Sequence, residues 1–136
     1  FKTSTDLRPP SISELKTEST VMGVGEEAKA QIVIYWDTDE PATAQVEYGE
    51  GTGSDYPNRT QEDEALNLNH TVTIPDLRPN QVYHLRVVTK DKAGNVTTSY
   101  DNVLITPKST KAALDLVVES LSKSFGFFNN LNSIVK

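Results

Sequence analysis

Few residues of this chain could do chemistry, and most of those that could are oxygen donors. His70 and His84 are the only two imidazoles in the 136 residues, and there is no cysteine. A tetrahedral metal centre takes three or four nitrogen or sulfur ligands in register, so two histidines fall short of one. His70 shares its parity with Val72, and its expected role is to cap the edge of a core. Asp37, Asp39, Asp91 and Asn95 carry the hard oxygens that suit Ca²⁺, but their spacing is not that of an EF-hand, and Asp is frequent at turns for backbone reasons alone. For nucleophilic or phosphoryl chemistry there is no Gly-x-Ser-x-Gly elbow, no phosphate-cradling glycine loop and no paired His-carboxylate motif. No catalytic residue, bound metal or cofactor is therefore expected, and the chain reads as a non-enzyme. Three sequons, Asn58-Arg59-Thr60, Asn69-His70-Thr71 and Asn95-Val96-Thr97, are glycosylation candidates, with Asn58 and Asn95 on expected loops.

The elements around these residues read as strands. From Ala30 to Trp36 the chain alternates, with Ala30, Ile32, Ile34 and Trp36 on one face. Ala44, Val46 and Tyr48 point inward from the next strand, after a loop at Asp37–Pro41. Val72 and Ile74 share one face of a strand over 71–74, and Tyr83, Leu85, Val87 and Thr89 share one face of a strand from Tyr83, with His84, Arg86, Val88 and Lys90 opposite. Between these two runs, Pro75-Asp76-Leu77-Arg78-Pro79-Asn80 removes two ladder donors and turns the chain. Gly94 and Asn95 suit positive φ in a hairpin turn. A first strand over 11–18 has its apolar contacts, Ile12 and Leu15, unevenly spaced, which predicts a bulge. Residues 49–65 read as one short edge strand within a loop, and a last strand spans about 97–106.

Leu77, Pro79 and Tyr83 make the corner that opens strand F of immunoglobulin-like sandwiches. With Trp36-Asp37-Thr38-Asp39-Glu40-Pro41-Ala42-Thr43 and Gln45-Val46-Glu47-Tyr48-Gly49, the chain resembles a fibronectin type III domain of the bacterial or archaeal kind, similar to the one that precedes the catalytic domain of purple acid phosphatases. The resemblance covers residues 9 to 107. It implies an all-β, seven-stranded immunoglobulin-like sandwich with Trp36, Tyr48, Leu77 and Tyr83 in its core. It also places the loops carrying Asp37, Asp39, Asp91 and Asn95 at one pole, where their oxygens could hold Ca²⁺. The metal-ligand motifs of a phosphatase catalytic domain are missing, and the sandwich itself is a scaffold that hosts unrelated functions.

The length fits one domain and an appendage. Residues 1–8 read as an arm or linker, 9–107 as the sandwich and 108–136 as an amphipathic helical tail. The chain begins with Phe1 and its one methionine is Met22, which suggests a processed or trimmed product. In the tail, Leu114, Leu121, Phe128 and Val135 fall seven apart, with Val117, Val118, Phe125 and Leu131 widening the stripe. Such a face seeks cover, since burying each large apolar side chain is worth roughly 1.5–3 kcal/mol. With His84, Arg86 and Lys90 expected on the outer face of their strand, pairing with a second copy is the favoured cover. The 13 Lys and Arg against 19 Asp and Glu give a net charge of −6, which disfavours nucleic acid, and the few lysines of the tail make a poor basic face for a membrane surface. The expectation is an extracellular or cell-surface structural or adhesive module. Its partner would be a protein, either itself in a filament or array or a neighbouring domain of a parent chain. The alternative is the accessory domain of a secreted hydrolase.

Overall fold

The computed structural model describes residues 6–109. From residue 110 on the expected helical tail, with its apolar positions Leu114, Val117, Val118, Leu121, Phe125, Phe128 and Leu131, lies outside the described residues, as do the first five residues of the arm.

Among the described residues seven strands are formed: β1 (Ile12–Met22), β2 (Lys29–Glu50), β3 (Asn58–Arg59), β4 (Asp63–Leu77), β5 (Val82–Lys90), β6 (Val96–Thr98) and β7 (Asn102–Ile105). Every pairing is antiparallel. The long β2 takes part in two ladders. Its first half lies between β1 and β4, and its second half between β3 and β5, while β5 is flanked on its other side by β6 and β7. The result is a β-sandwich-like all-β body. Its core joins Ala30, Ile32, Ile34 and Trp36 of β2 and Ile74 and Leu77 of β4, in the first ladder, to Val46 of β2 and Tyr83, Leu85 and Val87 of β5, in the other. Period-two alternation is what places these side chains inward.

Several boundaries differ from the expectation. The first strand runs on to Met22, and the bulge expected from Ile12 and Leu15 is a register shift between Ser13 and Lys16, with Glu14 at φ 54°. Asp37–Pro41 is extended backbone within β2 rather than a loop, marked only by a register shift against β4. In the turn after β5, Gly94 takes positive φ and Asn95 does not. The last strand is interrupted at 99–101 into β6 and β7, and its ambiguous parity resolves with Leu104 against the core and Val103 and Ile105 exposed.

At the corner after β4 the Arg78 N–H donates to the Tyr83 hydroxyl at 2.8 Å. The chain enters and leaves at opposite ends of β5. At entry, Asn95 beyond the end of β5 donates its side-chain N–H to the Asp6 carbonyl. At exit, the Asn80 N–H before β5 donates to the Pro107 carbonyl at 2.8 Å.

Candidate functional site

The polar residues gather in two places. The first is the entry pole. Here Asp39 is a latch: its Oδ1 accepts from the Ser11 N–H at 2.7 Å and its Oδ2 from the Arg8 guanidinium at 2.6 Å. These donors, the Ser11 amide first and Arg8 second, hold the Asp39 carboxyl below the usual carboxylate range. Beside it, carboxylate oxygens of Asp6, Glu40 and Asp91 lie within 4.8 Å of one another. Burial and then the neighbouring Asp91 and Asp6 push the Glu40 carboxyl up, as expected when like charges crowd a poorly hydrated site. Burial acts in the same direction on Asp91, but the Asn95 side-chain and backbone N–H groups outweigh it and hold Asp91 down.

The four residues singled out for Ca²⁺ are not one ligand set. Asp37 turns away to accept from the Asn69 amide at 2.7 Å, Asp39 is taken by Arg8 and Ser11, and only Asp91 and Asn95 meet. The carboxylates that do converge with Asp91 are Asp6 and Glu40. Their oxygens are of the kind that suit a hard divalent cation. Both Asp91 oxygens are already engaged by Asn95 N–H groups, and Arg8 supplies positive charge nearby.

The second place is the outer face of β5. His84, placed by its parity on the outer face of the strand, is only 2% exposed. Its Nδ1 lies 2.9 Å from Asp101 Oδ1, which also accepts from the Tyr56 hydroxyl at 2.6 Å. The Tyr56 ring stands over His84, and the Arg86 guanidinium, itself bonded to Glu47, lies 4.1 Å from the Tyr56 centroid. Burial, then Asp101, pushes the Tyr56 phenol up to about 12. Burial raises the Asp101 carboxyl, but the Tyr56 and His84 hydrogen bonds outweigh it and hold it low. A His–carboxylate pair is half of a general-base arrangement. Here the far side of the ring is filled, since a Cβ added at Gly49 would stand only 3.2 Å from His84 Nε2 and 2.9 Å from Pro57 Cδ. The cluster ties the 51–57 loop to β5 and packs Gly49 and Pro57 close to the far side of the ring.

His70 is in the other ladder and does not meet His84. It stacks on Trp36 with ring centroids 5.0 Å apart, and its Nε2 lies 2.9 Å from Thr38 Oγ1. Of the sequons, Asn58 is exposed on β3, whereas the Asn69 amide is bound to Asp37 and the Asn95 amide to Asp91 and the Asp6 carbonyl. Asp6, Glu40, Tyr56 and Asp101 were missed by sequence reasoning. Each comes to its site from a distant stretch, and no spacing announces it. No protein-family model matches the sequence, and comparison with curated proteins gives no significant match.

Proposed function

We propose that this chain is a non-catalytic spacer and attachment module of the fibronectin type III kind, working outside the cell or at its surface and holding protein neighbours at its two poles. The observation that carries this reading is the opposed placement of entry and exit, the entry tied by hydrogen bonds to Asn95 and to Asp39 of β2 and the exit to Asn80 and Gln81 before β5. With nine residues in β5, the two ends stand roughly 30 Å apart at about 3.3 Å per strand residue. The family assignment is supported by the division of strands into β1–β2–β4 and β3–β2–β5–β6/β7, by the buried Trp36, and by the Tyr83 hydroxyl on the corner backbone. The exposed sequon at Asn58 agrees with an extracellular setting. The partner is a protein, a neighbouring domain of the same parent chain or another copy.

The absence of cysteine makes introduced ones unique labels. Spin labels at Leu7→Cys and Lys108→Cys should give one narrow distance distribution of roughly 30 Å or more. A broad distribution, or one centred well below that, removes the spacer reading. Phosphatase and glycosidase panels with added divalent metals should stay at background, and turnover abolished by His84→Ala would overturn the non-catalytic assignment.

A further inference from the structure

We propose that the first half of β4 is a contact for a second copy of this chain, the two β4 strands pairing antiparallel about a twofold axis at Asn67. Positions 70, 72 and 74 of β4 form the face turned to the core, where His70 and Ile74 are buried and Val72 packs against the core cluster. Leu68 and Leu66 continue that alternation toward the start of the strand, yet they are 49% and 41% exposed. The core-side stripe thus runs out beyond the cover that its own sandwich provides. The strand also has an open edge. Among the described residues β4 pairs only with β2, and from Ala65 to Pro75 it has no Asp, Glu, Lys or Arg. On the other side of that ladder β1 carries Glu14, Lys16 and Glu18, and charges of this kind keep an edge from pairing.

The self-complementary order of the strand names the occupant. About Asn67, the run Ala65-Leu66-Asn67-Leu68-Asn69 reads nearly the same in both directions. In an antiparallel pair centred there, Leu66 of each copy lies opposite Leu68 of the other, which sets two apolar cross-strand pairs side by side. Asp63 and Glu64 of each copy lie opposite Thr71 and His70 of the other, so the acidic end of one strand falls on the uncharged stretch of the second and no like charges face each other. Such a twofold contact closes on itself and stops at a dimer. As a single strand pair it is smaller than the standard interface of roughly 1,200–2,000 Å², so the dimer is a weak one, populated at high protein concentration. It runs along the side of the module, apart from the two poles of the spacer reading.

Light scattering of the full chain from micromolar to submillimolar concentration tests this. The parent's mass should rise toward twice its starting value. Leu66→Lys with Leu68→Lys sets like charges opposite each other and should hold the mass constant, with the thermal transition of the sandwich unmoved. Leu66→Lys with Leu68→Glu sets opposite charges together in this register and should restore the rise. On mild oxidation Asn67→Cys should give a disulfide-linked dimer, whereas Thr73→Cys, roughly 40 Å from its counterpart, should not. A parent that stays monomeric would overturn the proposal. So would an equal rise in the variant with two lysines, since association would then use another surface. A lowered thermal transition in that variant would place Leu66 and Leu68 under cover of their own chain and overturn it too. The twofold at Asn67 fails if Leu66→Lys with Leu68→Glu does not associate, or if Thr73→Cys links as readily as Asn67→Cys.

Discussion

Trp36 and its neighbour His70 show how single residues set both stability and its pH dependence. Trp36 is 1% exposed between the two ladders, and its Nε1 has no hydrogen-bond partner among the described residues. Trp36→Ala should therefore lose about 3–5 kcal/mol, the range for removing a large buried aromatic, measured by chemical denaturation. Tyr83→Phe should cost about 1–3 kcal/mol, because the Arg78 N–H loses its acceptor at the corner. His70 answers to pH. Burial, against the smaller pull of Asp37 and Asp63, lowers its pKa from 6.5, so the folded state holds fewer protons than the unfolded one. Its contribution is complete above about pH 6.5 and is lost as pH falls from there through the lowered folded value. The stability gap between parent and His70→Gln should shrink on acidification through that window. Parallel curves from pH 8 to pH 5 would show that His70 is not held neutral by the fold.

At the scale of elements, the close passage of the 51–57 loop over β2 and β5 depends on Gly49 having no side chain. A Cβ there would meet Pro57 at 2.9 Å and the Asp55 carbonyl at 3.2 Å. Gly49→Ala should lift the loop, raising the quenchable fraction of Tyr56 fluorescence and lowering the Tyr56 phenol from about 12 toward 10 as its burial is lost. An unchanged phenol titration would mean that the loop is not seated on His84. The same loop explains what the sequence could and could not tell. Runs such as Ala30–Trp36 and Tyr83–Thr89 were legible because one-sided burial imprints a period of two. Parity puts His84 on the side of β5 away from Tyr83 and Leu85, but period says nothing about the 51–57 loop that comes from far upstream to cover it. At Asp37–Pro41 the turn formers Asp and Pro suggest a loop, yet the chain crosses there in extended form from one ladder to the other. The converging carboxylates were illegible for a similar reason, since Asp6, Glu40 and Asp91 meet only after β1, β2 and β5 are in place.

Across the whole molecule, the proposed spacer role requires ends that are fixed to the body, and the two ends are fixed differently. The exit is held largely by backbone bonds, from the Asn80 N–H to Pro107 and between Thr106 and Gln81, which are insensitive to protonation. The entry depends on a carboxylate, Asp39, bonded to Ser11 and Arg8, with Asn95 adding a contact to the Asp6 carbonyl. The Asp39 carboxyl is held below its ordinary 3.8 by those donors, so the latch is complete above that value and is lost as pH falls through the lower folded one. The pair is exposed, and exposed ion pairs contribute little to global stability, so its effect should appear in the direction of the arm and not in the unfolding midpoint. Asp39→Ala should therefore widen the distance distribution between labels at positions 7 and 108 at neutral pH, with the thermal transition unchanged. The parent should reach a similar width only when the pH drops below about 3.8. If the variant's distribution stays as narrow as the parent's, the entry is fixed by Pro10 and the β1 ladder alone, and Asp39 has no part in setting the axis of the module.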